Sequence, residues 1–286
     1  MPELPEVENM RRGVACLAGC TICDLRKPRS RLQAIEMTPN FRSFRRRTVG
    51  RKITAIGRVG KRIVLELDAG DRIVIEPRMS GLVSLANPRD REHLRLVLEL
   101  AGPKKQLLFW DQRGLGVVRL VSPPEFETRY GVDKIGPDAL DIPAGTLRER
   151  LRASRREIKV ALLDQRVLAG IGNIYASEIL HRAGIHPRTP CDRLRPGQWT
   201  KLHAKMGEVL REALRDQGST LSDNVYHAPG GGPGKYRRRV YQRHGQPCLA
   251  CGRSQIVRIV QAQRSTFFCP ACQPAAAGKH HSSGAS

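Results

Sequence analysis

Met1-Pro2-Glu3-Leu4-Pro5-Glu6-Val7-Glu8 opens the chain, and the reading of everything after it turns on this stretch. Removal of Met1 would leave Pro2 as the N-terminus, with a free secondary amine. An α-amino group titrates near ~7.7–8.0, so a useful share is unprotonated at neutral pH. Such an amine is a nucleophile toward a sugar or carbonyl carbon and can form a Schiff base. With proline the product is an iminium, cationic without further protonation. Glu3 stands beside it as an acid or base. The bland alternative is a rigid acidic leader, with Pro5 at a helix start and Glu3 a first-turn carboxylate favoured by the helix dipole. Distant parts of the chain decide between the two.

Outward from this stretch, Val7, Met10, Val14 and Leu17 recur at helical spacing and predict a helix from Glu3 to about Leu17 with those four in the core. From Ile53 to Val121 the pattern becomes strands, at 62–67, 72–75, 93–100, 106–110 and 116–120, broken by Gly, Asp and Pro. Short strands in series suggest an antiparallel sandwich or barrel. Ser122-Pro123-Pro124, Ile135-Gly136-Pro137 and Pro143 mark a linker. Helical patterns follow over 146–165 and 199–217, with a glycine turn, Gly170-Ile171-Gly172-Asn173, entering another helix. A glycine loop over 227–234 leads into a cysteine-rich segment. The tail from Pro274 lacks the apolar content to fold, and its His280-His281 pair is too short to specify a metal site.

The chain has 286 residues, enough for two domains with cores. Fifty Lys and Arg against 27 Asp and Glu give a net charge of +23 and a pI near 10.6. That balance argues against an ordinary enzyme of small metabolites and for a polyanionic partner, nucleic acid first. A membrane is disfavoured by the lack of a long apolar run and of a signal-like N-terminus, so a soluble intracellular protein is expected. Aromatic residues make up only 5%, too few for a single-strand binder built on stacked rings.

Eight cysteines divide evenly. Cys16, Cys20, Cys23 and Cys191 have no spacing that compels a role. Cys248-x2-Cys251, then seventeen residues, then Cys269-x2-Cys272 is zinc-ribbon spacing, with four thiolates for one structural Zn ion. Disulfides are the alternative, disfavoured in a reducing cell.

Three features recur together in one family: the opening eight residues, the turn Gly170-Ile171-Gly172-Asn173-Ile174-Tyr175-Ala176-Ser177-Glu178, and the four-cysteine ribbon. From Met1 to about Gln273 the chain resembles the formamidopyrimidine-DNA glycosylase / endonuclease VIII family of bifunctional DNA repair enzymes. The resemblance implies an α+β fold: an N-terminal antiparallel β-sandwich with an N-terminal helix, a helix–two-turn–helix domain and a zinc-finger β-hairpin. The corresponding divisions are 1–131 for the catalytic domain, 132–145 for a linker, 146–241 for the helical domain, 242–273 for the zinc finger and 274–286 for a disordered tail.

The resemblance also implies a chemistry. A base inside a duplex must be flipped out before it can be attacked. Pro2 then meets C1′, expels the damaged base and leaves an iminium, from which β- and δ-elimination follow. Glu3 matches the acid/base, Lys61 the family's catalytic lysine, and Arg264 the arginine that grips phosphates at the lesion and is assigned to the second elimination. Without the resemblance, Lys61 would be one more cation on a solvated surface. Met79 and Arg113 match void-filling residues, and Leu115 stands where phenylalanine is common; Met79 could equally be core filler. Asn173 at a helix start suits a phosphate or a plain cap. Arg155, Lys159 and His93 are phosphate-contact candidates, weighed against solvated positions. The loop around Gly230–Gly234 departs from the family pattern, and Tyr236 is the residue there that could contribute. Glu178 reads as a contact or a buried partner.

The function expected is therefore a monomeric base-excision-repair DNA glycosylase with AP lyase activity on damaged double-stranded DNA, in the cytoplasm or nucleoid. Oxidised purines are favoured modestly over oxidised pyrimidines as substrates. A non-catalytic zinc-ribbon DNA-binding protein, or an RNA-binding one, is the alternative class.

Overall fold

The computed structural model describes residues 2–30, 32–85, 90–102, 106–221, 226–228 and 231–275. The fate of Met1, the loop positions Pro229 and Gly230, and the tail from 276 with His280-His281 lie outside them. Two compact units are present: residues 1–142 with 165–172 and 207–237, and residues 143–164 with 173–206 and 238–286.

In the first unit, α1 (Leu4–Val14) runs into one 3-10 turn (Ala15–Leu17). Val7, Met10, Val14 and Leu17 are all buried, as their spacing predicts. There follow β1 (Ile22–Arg26), β2 (Glu36–Thr38), α2 (Phe41–Thr48), β3 (Ile53–Val59), β4 (Arg62–Leu67), β5 (Arg72–Glu76), β6 (Gly81–Ser84), β7 (Leu94–Leu100), β8 (Gln106–Asp111), β9 (Val117–Val121) and α3 (Pro123–Tyr130). They make two sheets, ordered β1-β7-β8-β6 and β2-β9-β5-β4-β3. Ile63 and Leu65 of β4, Ile73 and Ile75 of β5, Leu96 and Leu98 of β7, and Leu107 and Phe109 of β8 share one core with α1. Two separate sheets over one core make a sandwich rather than a closed barrel. Its strand pairs are antiparallel except β2–β9, a three-residue parallel edge. The alternate residues Val64 and Val74 point the other way, into a smaller cluster with Val121 and Tyr130 beside α3.

Ser122-Pro123-Pro124, expected as part of a linker, instead starts α3. Ser122 is the N-cap, the prolines fill the first turn, and the Glu125 carboxylate accepts from the Ser122 N–H at 2.7 Å. Proline lacks only an N–H that the first turn does not use, so the pair is compatible with a helix start.

Beyond α3 come α4 (Ala144–Leu151), α5 (Ile158–Leu162), α6 (Asn173–Ala183) and α7 (Pro196–Arg215). The basic stretch over 146–165 thus holds parts of two short helices. The chain turns at Gly218, whose φ of 82° suits glycine. A hairpin of β10 (Val257–Gln261) and β11 (Arg264–Phe268) carries the cysteine ribbon's strands. Among the described residues no helix is long and apolar enough to cross a membrane.

Candidate active site and zinc centre

The N-terminal stretch is locked in place within the first unit. Pro2 is buried. Glu3 is the N-cap of α1 and forms a reciprocal capping box with Glu6. Glu6 accepts from the Glu3 N–H at 2.9 Å and, with its other oxygen, from the Ser219 N–H at 2.9 Å. The Leu4 N–H donates to the Gly170 carbonyl at 3.0 Å. The Glu3 carboxylate accepts from the Gly172 N–H at 2.8 Å. The glycines of this turn are needed for that approach. A methyl group at Gly172 would lie 2.5 Å from Glu3 Oε1, and one at Gly170 would lie 2.5 Å from the Leu4 side chain. The dipole reading of Glu3 and the site reading are therefore compatible: one carboxylate caps the helix and is also fixed beside Pro2.

Lys61 is half-buried in the two-residue turn Gly60-Lys61, which joins β3 to β4 with Val59 opposite Arg62. Glycine at the first turn position, with φ of 56°, is what a tight hairpin of this twist requires. Arg58, which no pattern in the sequence singles out, ties this turn to the N-terminus. Its guanidinium donates to Glu8 at 3.0 Å, to Asp138 at 2.5 Å and to the Gly60 carbonyl at 2.9 Å. Asp138 in turn is bridged in parallel to Ala169, next to Gly170. One buried arginine thus links α1, the Lys61 turn and the segment that seats Glu3. Burial alone would raise the Glu8 carboxyl, but hydrogen bonds from Arg11, Arg12 and Arg58 outweigh it and hold the group at about 2.

Three exposed side chains stand on neighbouring loops of the same unit. Met79 is 37% exposed, which removes the core-filler alternative, and Leu115 is 46% exposed. Arg113 is exposed between them in sequence. Asp111, fully buried at the end of β8, holds these loops together. Its carboxylate accepts from Ser80 Oγ at 2.5 Å, from the Gly116 N–H at 2.7 Å and from the Arg113 N–H at 3.3 Å. Arg78, just before Met79, has φ of 53°, a conformation that costs energy outside glycine and that the surrounding structure must impose. His93 is half-buried, its Nδ1 2.8 Å from Asp90 and its ring against Trp110. Tyr236, expected at the glycine loop, is buried and donates its N–H to the Gly218 carbonyl at 3.0 Å.

In the second unit, Lys159, read from the sequence as a phosphate contact or else a solvated position, faces inward. It is fully buried, with Nζ 2.5 Å from Asn173 Oδ1. The Asn173 amide donates to the Ser265 carbonyl at 2.9 Å, so this side chain is a strut between α5 and β11. Arg155 is exposed. Arg264 is exposed immediately after the hairpin turn Ala262-Gln263, whose φ values are 46° and 59°. Both central residues lie in the left-handed region without glycine, so the turn is strained and held from outside. Gln261 supplies part of that hold, donating to Glu157 at 2.6 Å and to the Pro187 carbonyl at 3.2 Å. Glu178 proves to be a buried partner: its carboxylate accepts the N–H groups of Arg239, Val240 and Tyr241 at 2.8–3.0 Å. Burial pushes its pKa up, and those three donors oppose the shift.

Cys248, Cys251, Cys269 and Cys272 converge, their sulfurs all within 4.8 Å of one another. Cys248–Cys272 and Cys251–Cys269 are 3.9 and 3.7 Å apart. A tetrahedral ion with Zn–S bonds of about 2.3 Å puts its sulfurs roughly 3.8 Å apart, so the four fit zinc. Four thiolates leave no open position for water, which makes the ion structural. Cys16, Cys20, Cys23 and Cys191 form no disulfide.

The formamidopyrimidine-DNA glycosylase N-terminal domain matches residues 1–118, the H2TH domain of that glycosylase matches 135–225, and the zinc finger found in FPG and IleRS matches 245–275. The formamidopyrimidine-DNA glycosylase of Chloroflexus aurantiacus is 42% identical over 281 residues, covering 96% of this chain and 98% of that protein. That of Methylococcus capsulatus is 37% identical over 284 residues, covering 96% and 100%. Lactococcus lactis Fpg, solved in complex with DNA containing an abasic site, superposes with a TM-score of 0.82 at 32% identity, covering 96% of this chain and all of that one. MutM (Fpg) from Thermus thermophilus gives 0.82 at 36% identity, covering 95% and 98%.

Proposed function

Since the chain belongs to the formamidopyrimidine-DNA glycosylase family, we propose that Pro2, freed of Met1, is the nucleophile with which it excises damaged bases. The protein is a base-excision-repair DNA glycosylase for oxidised bases, with the AP lyase activity of its family and one structural zinc ion. Its partner is DNA; it acts on duplex as a monomer, within the cell and at the nucleoid.

The extruded nucleotide presents C1′ to the Pro2 amine. The C1′–N bond forms as the glycosidic bond breaks and the base leaves with a proton. The amine then gives up its own proton and its lone pair expels O4′, which takes a proton, so that the C1′–O4′ bond breaks and the iminium forms. Glu3, oriented by the Gly172 N–H, exchanges that proton and those of the opening sugar. The iminium withdraws electrons from C2′, so loss of a C2′ proton expels the 3′-phosphate. Lys61 supplies positive charge beside the reacting sugar. Arg264, projected from the hairpin turn, holds the phosphates through both eliminations. Met79, Arg113 and Leu115 fill the void, Arg113 facing the orphaned base. Arg155, His93 and Asn173 take phosphates, with Lys159 bracing Asn173. Tyr236 supports the glycine loop beside the flipped base. Residues 1–131 carry the chemistry, 146–241 the helical DNA contacts and 242–273 the finger, with 132–145 as the linker.

The observation that supports this reading most strongly is the seating of Glu3 on the Gly172 N–H, which fixes a carboxylate one residue from the proline amine. The substrate is an oxidised purine of the formamidopyrimidine or 8-oxoguanine type. Duplexes each carrying one defined lesion test this: excision of formamidopyrimidine and 8-oxoguanine ahead of oxidised pyrimidines is expected. Preference for thymine glycol would transfer the specificity to the endonuclease VIII type.

A further inference from the structure

His181 lies about two turns along α6 from Asn173 and is buried. Its Nε2 is 3.5 Å from Cys248 Sγ, within reach of an N–H···S hydrogen bond. Its Nδ1 is also buried and has no hydrogen-bond partner among the described residues. One neutral tautomer suits both nitrogens. A proton on Nδ1 would strand a buried donor and turn the Nε2 lone pair toward a thiolate. A proton on Nε2 meets the sulfur and leaves only a lone pair unmatched.

Four thiolates around a divalent ion leave two excess negative charges, in surroundings where Cys248 and Cys269 are buried. Donors to sulfur disperse that charge and keep each thiolate on the metal. Cys269 Sγ accepts from the Cys272 N–H at 3.4 Å, within its own knuckle. Cys248 instead has a donor from a different element, 67 positions earlier in the chain.

We propose that His181 is a positioning residue of the zinc centre, its Nε2–H hydrogen-bonded to the Cys248 thiolate so that α6 restrains this ligand on the metal. Zinc retention is thereby coupled to the helix that begins at Asn173. This holds whichever lesion the protein excises.

The test uses the full-length zinc-loaded protein. His181→Phe keeps a flat ring and removes the donor. Its transfer of zinc to a chromogenic chelator should be about 10-fold faster than in the wild type, the low end of what losing such a partner costs in metal affinity. His181→Gln, which retains an N–H, should release zinc more slowly than His181→Phe. After cobalt substitution, the thiolate-to-metal charge-transfer band of His181→Phe should move to lower energy. A histidine that merely fills space would leave that band alone. Wild-type release rate and an unmoved band, in a variant with unchanged helical circular dichroism, would overturn the proposal. Should His181→Phe not fold, the wild type loaded with NMR-active cadmium decides. Scalar coupling between the metal and the His181 Nε2 proton supports the bond, and a proton found on Nδ1 refutes it.

Discussion

Gly172→Ala isolates the contact on which the site depends. Residue 172 lies outside the left-handed region, so alanine meets no backbone penalty there. The added methyl would stand 2.5 Å from Glu3 Oε1, and closer still to Cδ, whereas real Cβ atoms essentially never come within 3.0 Å. Either the carboxylate or the turn must therefore retreat by about 0.5 Å or more. The 2.8 Å hydrogen bond from the Gly172 N–H stretches with it. Misplacing a catalytic group by about 1 Å can cost 10²-fold, so a loss of roughly 10- to 100-fold in single-turnover excision is expected. The control is Gly145→Ala in α4, where a methyl meets nothing within 4 Å. It should leave activity unchanged and stabilise the fold by up to ~1 kcal/mol. Both variants are assayed on a duplex with one oxidised purine, with thermal melts run in parallel. Wild-type excision by a normally folded Gly172→Ala protein would refute the role given to Glu3.

Two further outcomes follow from the groups that support the site. Glu8 titrates at about 2 against an ordinary 4.5, a depressed carboxylate, so its stabilisation is present above pH 4.5 and is lost as pH falls toward 2. Glu8→Gln should therefore cost roughly 3 kcal/mol in urea unfolding near neutral pH, with the gap to wild type closing between pH 4.5 and 2; a gap independent of pH would contradict this. Asp111→Asn puts an amide N–H against donors, which costs about 1–3 kcal/mol and loosens the loops bearing Met79, Arg113 and Leu115. Base excision from duplex should fall about tenfold, while cleavage of a pre-formed abasic site falls less; equal losses would mean that Asp111 serves the chemistry and not the void-filling loops.

What the sequence made legible is what depends on short-range pattern. The quartet from Val7 to Leu17 has one apolar residue per turn, and the five apolar stretches read as strands between 62 and 120 all form. The cysteine spacing alone implied the zinc centre. β1, β2 and α2 were silent for physical reasons. β1 buries only Ile22 and Leu25 and its register shifts beside Ile22, so alternation is lost. β2 has three residues, and α2 buries only Phe44 and Thr48 among arginines and a serine that read as solvated surface. Arg58 and Asp111 went unnoticed because their partners are remote: Arg58 reaches Glu8 and Asp138, 50 and 80 positions away. Lys159 shows the same limit, since nothing in a basic run reveals which ammonium turns inward to an asparagine. The glycine turn was visible, but two of its glycines serve the N-terminal stretch, a fact that local spacing cannot carry.

Borohydride reduction during reaction with abasic-site DNA tests the central claim most directly. The iminium is reduced to a stable amine, and mass spectrometry of the digested adduct reports the residue that carries the sugar. The N-terminal peptide beginning at Pro2, without Met1 and bearing the deoxyribose remnant, is the expected result, with no adduct from Pro2→Gly at matched folding. An adduct mapped to Lys61 or any other lysine, or full cleavage by protein that retains Met1, would contradict it.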